Sequence, residues 1–222
     1  SDLLVVESDE SDGSFLKLAP ILAVVTNIDR EHLDHYQTFD NVLRAFTDFV
    51  NKVPFYGAAI VCLDDENVQG ILPAIKRRVV TYGASAQADL EVRDVVMEAG
   101  SSRFHLRLRG EDLGEFELPA PGMHNVLNAA AAAAVGLEMG LTPEKIRAGL
   151  AQYRGVDRRF QLRGTVDGVR VVDDYGHHPT EVRAIVLSSL DDVRASYRHM
   201  KHTLLALSVL GVVAFAVVGL IT

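Results

Sequence analysis

The chain has a single cysteine, Cys62, among 222 residues. That excludes a disulfide framework and fits a reducing compartment. Cys62 stands in the strand-like run AAIVCL, where a small buried hydrophobe is a better reading than a nucleophile. Positive charge is also scarce: 22 Lys and Arg against 30 Asp and Glu give a formal net charge of −8. This balance argues against a nucleic-acid-binding surface, which would need a basic stripe. No G-x-x-G-K-[ST] phosphate loop exists, and Lys17, Lys52, Lys76, Lys145 and Lys201 stand in other contexts. The amides, lysine and hydroxyl that cradle a triphosphate are therefore missing from these residues. No signal peptide opens the chain. It begins without Met at SDLLVVESDE, inside a strand-like run, as at a fragment boundary.

What is present is apolar and periodic. Hydrophobic residues make up 48% of the chain, enough to bury a core in one large domain or two small ones. Leu3–Val6, Ile21–Thr26, Ala58–Leu63 and Val79–Tyr82 read as strands. Phe39, Val42, Leu43, Phe46, Phe49 and Val50 recur at helical spacing over Phe39–Asn51. Val68, Ile71, Leu72 and Ile75 suggest a short helix, weakened by Pro73. Strands alternating with helices predict an α/β fold, a mostly parallel sheet flanked by helices. Leu90–Met97, Arg103–Leu108 and Glu115–Leu118 alternate in short steps around Gly100, Gly110 and Gly114, which predicts a small antiparallel portion. An Ala-rich helix follows PAPG and ends near Gly140. Thr142 caps the next helix, with Pro143 at its first position. Leu162–Val166 and Val169–Val172 form a hairpin around Asp167-Gly168.

The segment TLLALSVLGVVAFAVVGLIT, Thr203 to Thr222, carries no charge. Twenty helical residues span roughly 30 Å, the thickness of a bilayer core. Arg194, Arg198 and Lys201 precede it. The expectation is a C-terminal membrane helix with residues 1–200 on the cytoplasmic side. A buried core helix is the alternative.

Chemistry-bearing residues gather where predicted strands end. In VVTNIDREHLDHY the apolar run gives way to Asp29, Glu31, His32, Asp34 and His35. Carboxyl ends of parallel strands are where α/β folds place ligands. Glu7 and Glu10 follow another strand. One or two carboxylates near a triphosphate suffice for Mg²⁺, and imidazole is also compatible with Mn²⁺. The plain alternatives are a solvated acidic loop and a strand-end histidine bonded to a neighbouring carboxylate. Asn125 and Asn128 lie three apart, on one face at the start of a helix. A carboxamide offers donor and acceptor together, which suits an adenine edge; helix capping is the alternative for Asn125.

Five motifs in order resemble the Mur ligases, the ATP-dependent ligases that build the peptide stem of peptidoglycan. They are ESDESDGSF, NIDREHLDHY, PGMHNVLNAAAAAA, GVDRRFQ and VDDYGHHPTEV, spanning roughly residues 1–186. The string DDYGHHPTE is characteristic of the branch that joins L-alanine to UDP-N-acetylmuramate. Where that branch usually has Ala, this chain has Ser8. The resemblance implies that Glu7 and Glu10 face a metal and that His32 holds a second metal near the acyl phosphate. It implies that His124, Asn125, Asn128, Arg159 and Asp174 meet the nucleotide. Arg158, beside Arg159, is equally well read as a surface ion-pair residue. His177 and His178 are expected near the amino acid or its acceptor carboxylate, where a neutral imidazole can take the ammonium proton. ATP and Mg²⁺, with Mn²⁺ as substitute, are the implied cofactors. The implied domains are 1–153, a central ATP-binding domain lacking its phosphate loop, 154–187, the start of a C-terminal domain, and 188–222, a linker and hydrophobic helix unrelated to the family. The function implied is ligation of L-alanine to UDP-N-acetylmuramate in the cytoplasm, with this chain alone inactive. The rival is a non-catalytic, membrane-anchored remnant or interaction module.

Overall fold

The protein is described from a computed structural model, which covers residues 3–98, 100–156, 161–166, 169–173 and 175. Two compact units divide at Gly155 and Val156.

The first unit is one six-stranded sheet between two helical layers. Its strands are β1 (Leu22–Val25), β2 (Ala58–Cys62), β3 (Val79–Gly83), β4 (Leu90–Met97), β5 (Ser102–Leu108) and β6 (Glu111–Leu118), adjacent in that order. β1, β2, β3 and β4 pair in parallel; β4, β5 and β6 pair antiparallel. The antiparallel portion thus continues the parallel sheet. β3 and β4 meet only through Tyr82↔Leu90 and Gly83↔Glu91. Because β4 begins level with the end of β3, a short loop replaces the long crossover that fully overlapping parallel strands require.

β2 shows why the sheet is buried on both faces. Ala58, Ile60 and Cys62 face one core together with α4 (Met123–Glu138) and α5 (Pro143–Leu150). Ala59 and Val61 face the other with α2 (Phe39–Val50) and α3 (Glu66–Ile71). All five are buried, as the period of two demands for a central strand. α2 starts at Thr38, whose hydroxyl accepts the Asn41 N–H. α3 starts at Asp65, whose carboxylate accepts the Val68 N–H. α3 stops at Ile71, two residues before Pro73, and Leu72–Ala74 continues as a 3₁₀ turn. The six-alanine run of α4 lies against the sheet, with Ala129, Ala130, Ala131, Ala133 and Ala134 buried. At its end the Gly140 N–H bonds to Leu137 O and the Leu141 N–H to Gly136 O, a Schellman pair. Gly140 takes φ +77° there, which a side chain would resist.

Two expectations need correction. Leu3–Val6 is not a strand: it carries no regular structure, and its four side chains are exposed. A short apolar run forms a strand only where a neighbouring edge pairs its N–H and C=O groups. Gly114 is not a turn. β6 begins earlier, at Glu111, and Gly114 lies inside it with φ +86° where the β5–β6 register slips. Leu113 and Gly114 oppose a single residue there, a β-bulge. The reversal falls instead at Arg109 and Gly110, both with positive φ, as in a two-residue type I′ hairpin.

In the second unit, β7 (Gln161–Val166) and β8 (Val169–Asp173) form an antiparallel hairpin. Arg163 Nη2 lies 2.8 Å from Asp173 Oδ2 across it. The membrane helix expected at 203–222 lies outside the described residues. Among the described residues no helix is long and apolar enough to cross a membrane.

Candidate active site

A cavity of about 260 Å³ opens at the carboxyl ends of β1, β2 and β3. Thr26 and Asn27 follow β1, Cys62, Asp64 and Asp65 come from the end of β2, and Tyr82 from β3. His124, Leu127 and Asn128 descend from the first turns of α4. Cys62 and Tyr82 are buried, whereas Thr26, Asn27, His124 and Asn128 are exposed at the rim. Burial pushes the Tyr82 phenol and the Cys62 thiol upward in pKa, so both stay protonated at neutral pH.

One wall is set by Asp64. Its carboxylate accepts the Ala84 N–H at 2.6 Å and the Ser85 N–H at 2.9 Å. A Cβ on Gly83 would stand 2.5 Å from Asp64 Oδ1, so only glycine lets the loop after β3 close onto the carboxylate. Asn125 is oriented differently from Asn128. Its Nδ2 donates to Pro121 O at 2.7 Å, tying α4 to the loop before it. The cavity lining includes Asn128 and not Asn125.

The acidic loop and the His32 motif form a second grouping. His32 Nε2 lies 3.7 Å from Glu10 Oε1. The buried Tyr36 hydroxyl donates to Glu10 O at 2.5 Å, which fixes the loop against the motif. Tyr36 is in turn held by Asn41, whose Nδ2 donates to Tyr36 O at 2.7 Å. His35 packs edge-on against the Tyr36 ring, centroids 4.7 Å apart. His32 adopts left-handed backbone, φ 54° and ψ 33°, directly before α1 (Leu33–Tyr36). Gln37, at φ 67° and ψ −42°, centres a γ-turn of the rarer hand closed by the Thr38 N–H on Tyr36 O. Two non-glycine residues at positive φ within six positions mark a strained segment held by its surroundings. Ser11 donates to Asp9 and Ser14 to Asp12, and these bonds hold both carboxyls below the usual carboxylate range.

The structure therefore brings His124 and Asn128 together, and His32 and Glu10 together. Glu7 is exposed and is not in the cavity lining. Among the described residues, no group of three or more His, Cys, Asp or Glu is arranged to hold a metal ion. Glu7, Glu10 and His32 thus do not form a preassembled three-ligand site. One imidazole and one carboxylate suit Mg²⁺ or Mn²⁺ when water and phosphate oxygens complete the shell. Arg158, Arg159, Asp174, His177 and His178 lie outside the described residues. Sequence reasoning missed Tyr82, Cys62, Asp64 and Asp65 as cavity residues and Tyr36 as the tie on the acidic loop. Only the strand-end position of Cys62, Asp64 and Tyr82 could have signalled them.

Comparison with known proteins bears on this geometry. The Mur ligase middle domain matches residues 2–136, and the Mur ligase glutamate ligase domain matches 158–210. The chain belongs to the Mur ligase family. The chain is 66% identical over 184 residues to the UDP-N-acetylmuramate–L-alanine ligase of Solibacter usitatus, covering 83% of this chain and 39% of that one. It is 54% identical over 183 residues to the ligase of the same name from Desulfotalea psychrophila, covering 82% and 40%. Among solved structures it resembles UDP-N-acetylmuramate-alanine ligase MurC of Thermotoga maritima, with a TM-score of 0.69 and 25% identity over 82% of this chain and 40% of that one. It also resembles MurF of Acinetobacter baumannii, with a TM-score of 0.68 and 28% identity over 78% and 38%. The chain spans about two fifths of the length of these relatives.

Proposed function

We propose that this chain is the central part of an enzyme that joins L-alanine to UDP-N-acetylmuramate at the expense of ATP, in the cytoplasm. The observation that carries the reading is the 66% identity to the Solibacter usitatus ligase over 83% of the chain. The strand-end cavity supports it. Its protonated floor and amide rim suit a nucleotide base, with His124 and Asn128 at the mouth. Asn125 serves from behind by fixing the first turn of α4. Glu10 and His32, with Glu7 on the same loop, face the phosphates and the metal. Held there, Mg²⁺ or Mn²⁺ would supply positive charge to the transferring phosphoryl group. A carboxylate oxygen of UDP-N-acetylmuramate attacks the γ-phosphorus and ADP leaves. The alanine amine then attacks the acyl carbon, phosphate leaves, and the amine proton passes to His177 or His178. Arg159 and Asp174 meet the phosphates and ribose in this proposal.

The test is a chimera. The chain is supplied with the amino- and carboxyl-terminal segments of its Solibacter usitatus relative and incubated with Mg-ATP, UDP-N-acetylmuramate and L-alanine. Mass spectrometry should detect UDP-N-acetylmuramoyl-L-alanine, with none from the 222-residue chain alone. A folded chimera that makes no such product, while the relative does, would defeat the reading.

A further inference from the structure

We infer that the Tyr82 hydroxyl hydrogen-bonds a ring nitrogen of the base held in the strand-end cavity and so helps select it. The inference rests on the cavity being the nucleotide-base site. It begins with an orphan. Tyr82 is fully buried, and its hydroxyl oxygen has no hydrogen-bond partner of ordinary geometry. The Cys62 thiol beside it is a weak partner. Buried polar groups are almost always paired, so an unpaired hydroxyl beside a cavity calls for an acceptor that the chain does not supply.

The other polar groups of the lining narrow what that acceptor meets. The Thr26 hydroxyl donates to Asn27 Oδ1 at 2.9 Å. Asp64 is engaged by two backbone amides and Asp65 by the Val68 N–H. Those carboxylates are acceptors in any case. The side-chain donors left for a ligand on the sheet side are the Asn27 amide at the exposed rim and, at the floor, the Tyr82 hydroxyl and the weak Cys62 S–H. A planar heteroaromatic base presents lone pairs on its ring nitrogens, which a phenol can satisfy without a charge. At about 260 Å³ the cavity is just under the ~300 Å³ at which small-molecule sites begin, which suits a base better than a whole nucleotide. Asn128 at the rim then reads the exocyclic edge while Tyr82 reads the ring from below.

Adenosine and its 1-deaza, 3-deaza and 7-deaza analogues, each lacking one ring nitrogen, distinguish this from simple packing. Their affinities for the chain and for its Tyr82→Phe and Asn128→Ala variants are measured by saturation-transfer NMR. One analogue should bind the unmodified chain about three- to tenfold more weakly than adenosine, the effect of one neutral hydrogen bond. Tyr82→Phe should weaken adenosine by the same factor and abolish the discrimination against that analogue. If Tyr82→Phe leaves adenosine binding and discrimination unchanged while Asn128→Ala weakens binding, the inference falls and the base-site reading stands. If neither variant changes binding, the base lies elsewhere and both fall. Should Tyr82→Phe fail to fold, the unmodified chain still decides. Equal affinity for all four nucleosides, as when only a water meets the hydroxyl, overturns the inference, and so does a lack of adenosine binding.

Discussion

The strand-end cavity and the acidic loop are built on different principles. The cavity is assembled from three strand ends and a helix start, and its floor residues Cys62 and Tyr82 belong to the main core. Its shape is a consequence of packing that the whole unit shares. The acidic loop has no regular structure from Leu3 to Glu10 and is joined to the rest by a few bonds, chiefly Tyr36 to Glu10. One region is preorganised by the core. The other is positioned by local turns with strained backbone at His32 and Gln37. A site that selects among similar ligands must be rigid, whereas charged groups on a loop can tighten once a counter-charge arrives.

This contrast breaks most sharply at Ile60, fully buried in β2 two residues before the floor residue Cys62. Ile60→Ala should cost about 3 kcal/mol in urea unfolding, within the range for buried Ile truncation. Leu4→Ala, at 88% exposure, should fall within about 0.5 kcal/mol of the unmodified chain. Equal effects would erase the distinction. Tyr36→Phe removes the bond to Glu10 and should cost about 1 kcal/mol. Its signature is local: amide exchange should quicken over residues 7–14 and stay unchanged near Asn128. A uniform acceleration would mean that the loop is part of the core. Asp64→Ala removes the acceptor of two exposed N–H bonds and should cost slightly less, about 0.5–1 kcal/mol, with exchange quickening at Ala84 and Ser85.

The smallest effect concerns Asp89, on the loop between β3 and β4. Burial raises its carboxyl, but bonds from Thr81 and Arg109 outweigh this and hold it below its ordinary value of 3.8. A depressed folded value means the contribution is complete above the unfolded value and is lost as pH falls through the folded one. Stability should therefore decline below about pH 4, and Asp89→Asn should flatten part of that decline in thermal melts. An unchanged acid slope would remove Asp89 from the account.

Much of this was legible in the residues. Phe39 to Val50 declared an amphipathic helix, AAIVC a buried strand, and Gly140 a helix stop, because each is a local pattern with one good solution. The five motifs also pointed to the Mur ligases. Leu3–Val6 misled because an apolar run states a preference for burial and not whether a partner edge exists. Gly114 misled because positive φ serves a bulge as well as a turn. The cavity was only half visible: His124 and Asn128 stood in a motif, while Tyr82 and Asp64 sat in ordinary strand-end sequence.

The sequence by itself determined the alternation of strands and helices, the family, and the residue types capable of the chemistry, since these depend on short-range periodicity and identity. Only the tertiary structure decided which of those residues meet. Cys62, Tyr82 and Asn128 converge because parallel pairing aligns the ends of β2 and β3 beneath α4. Glu10 meets His32 because a hydroxyl 26 residues away in sequence reaches its carbonyl. Such long-range contacts are selected by the burial of the whole core, which no local window of sequence contains.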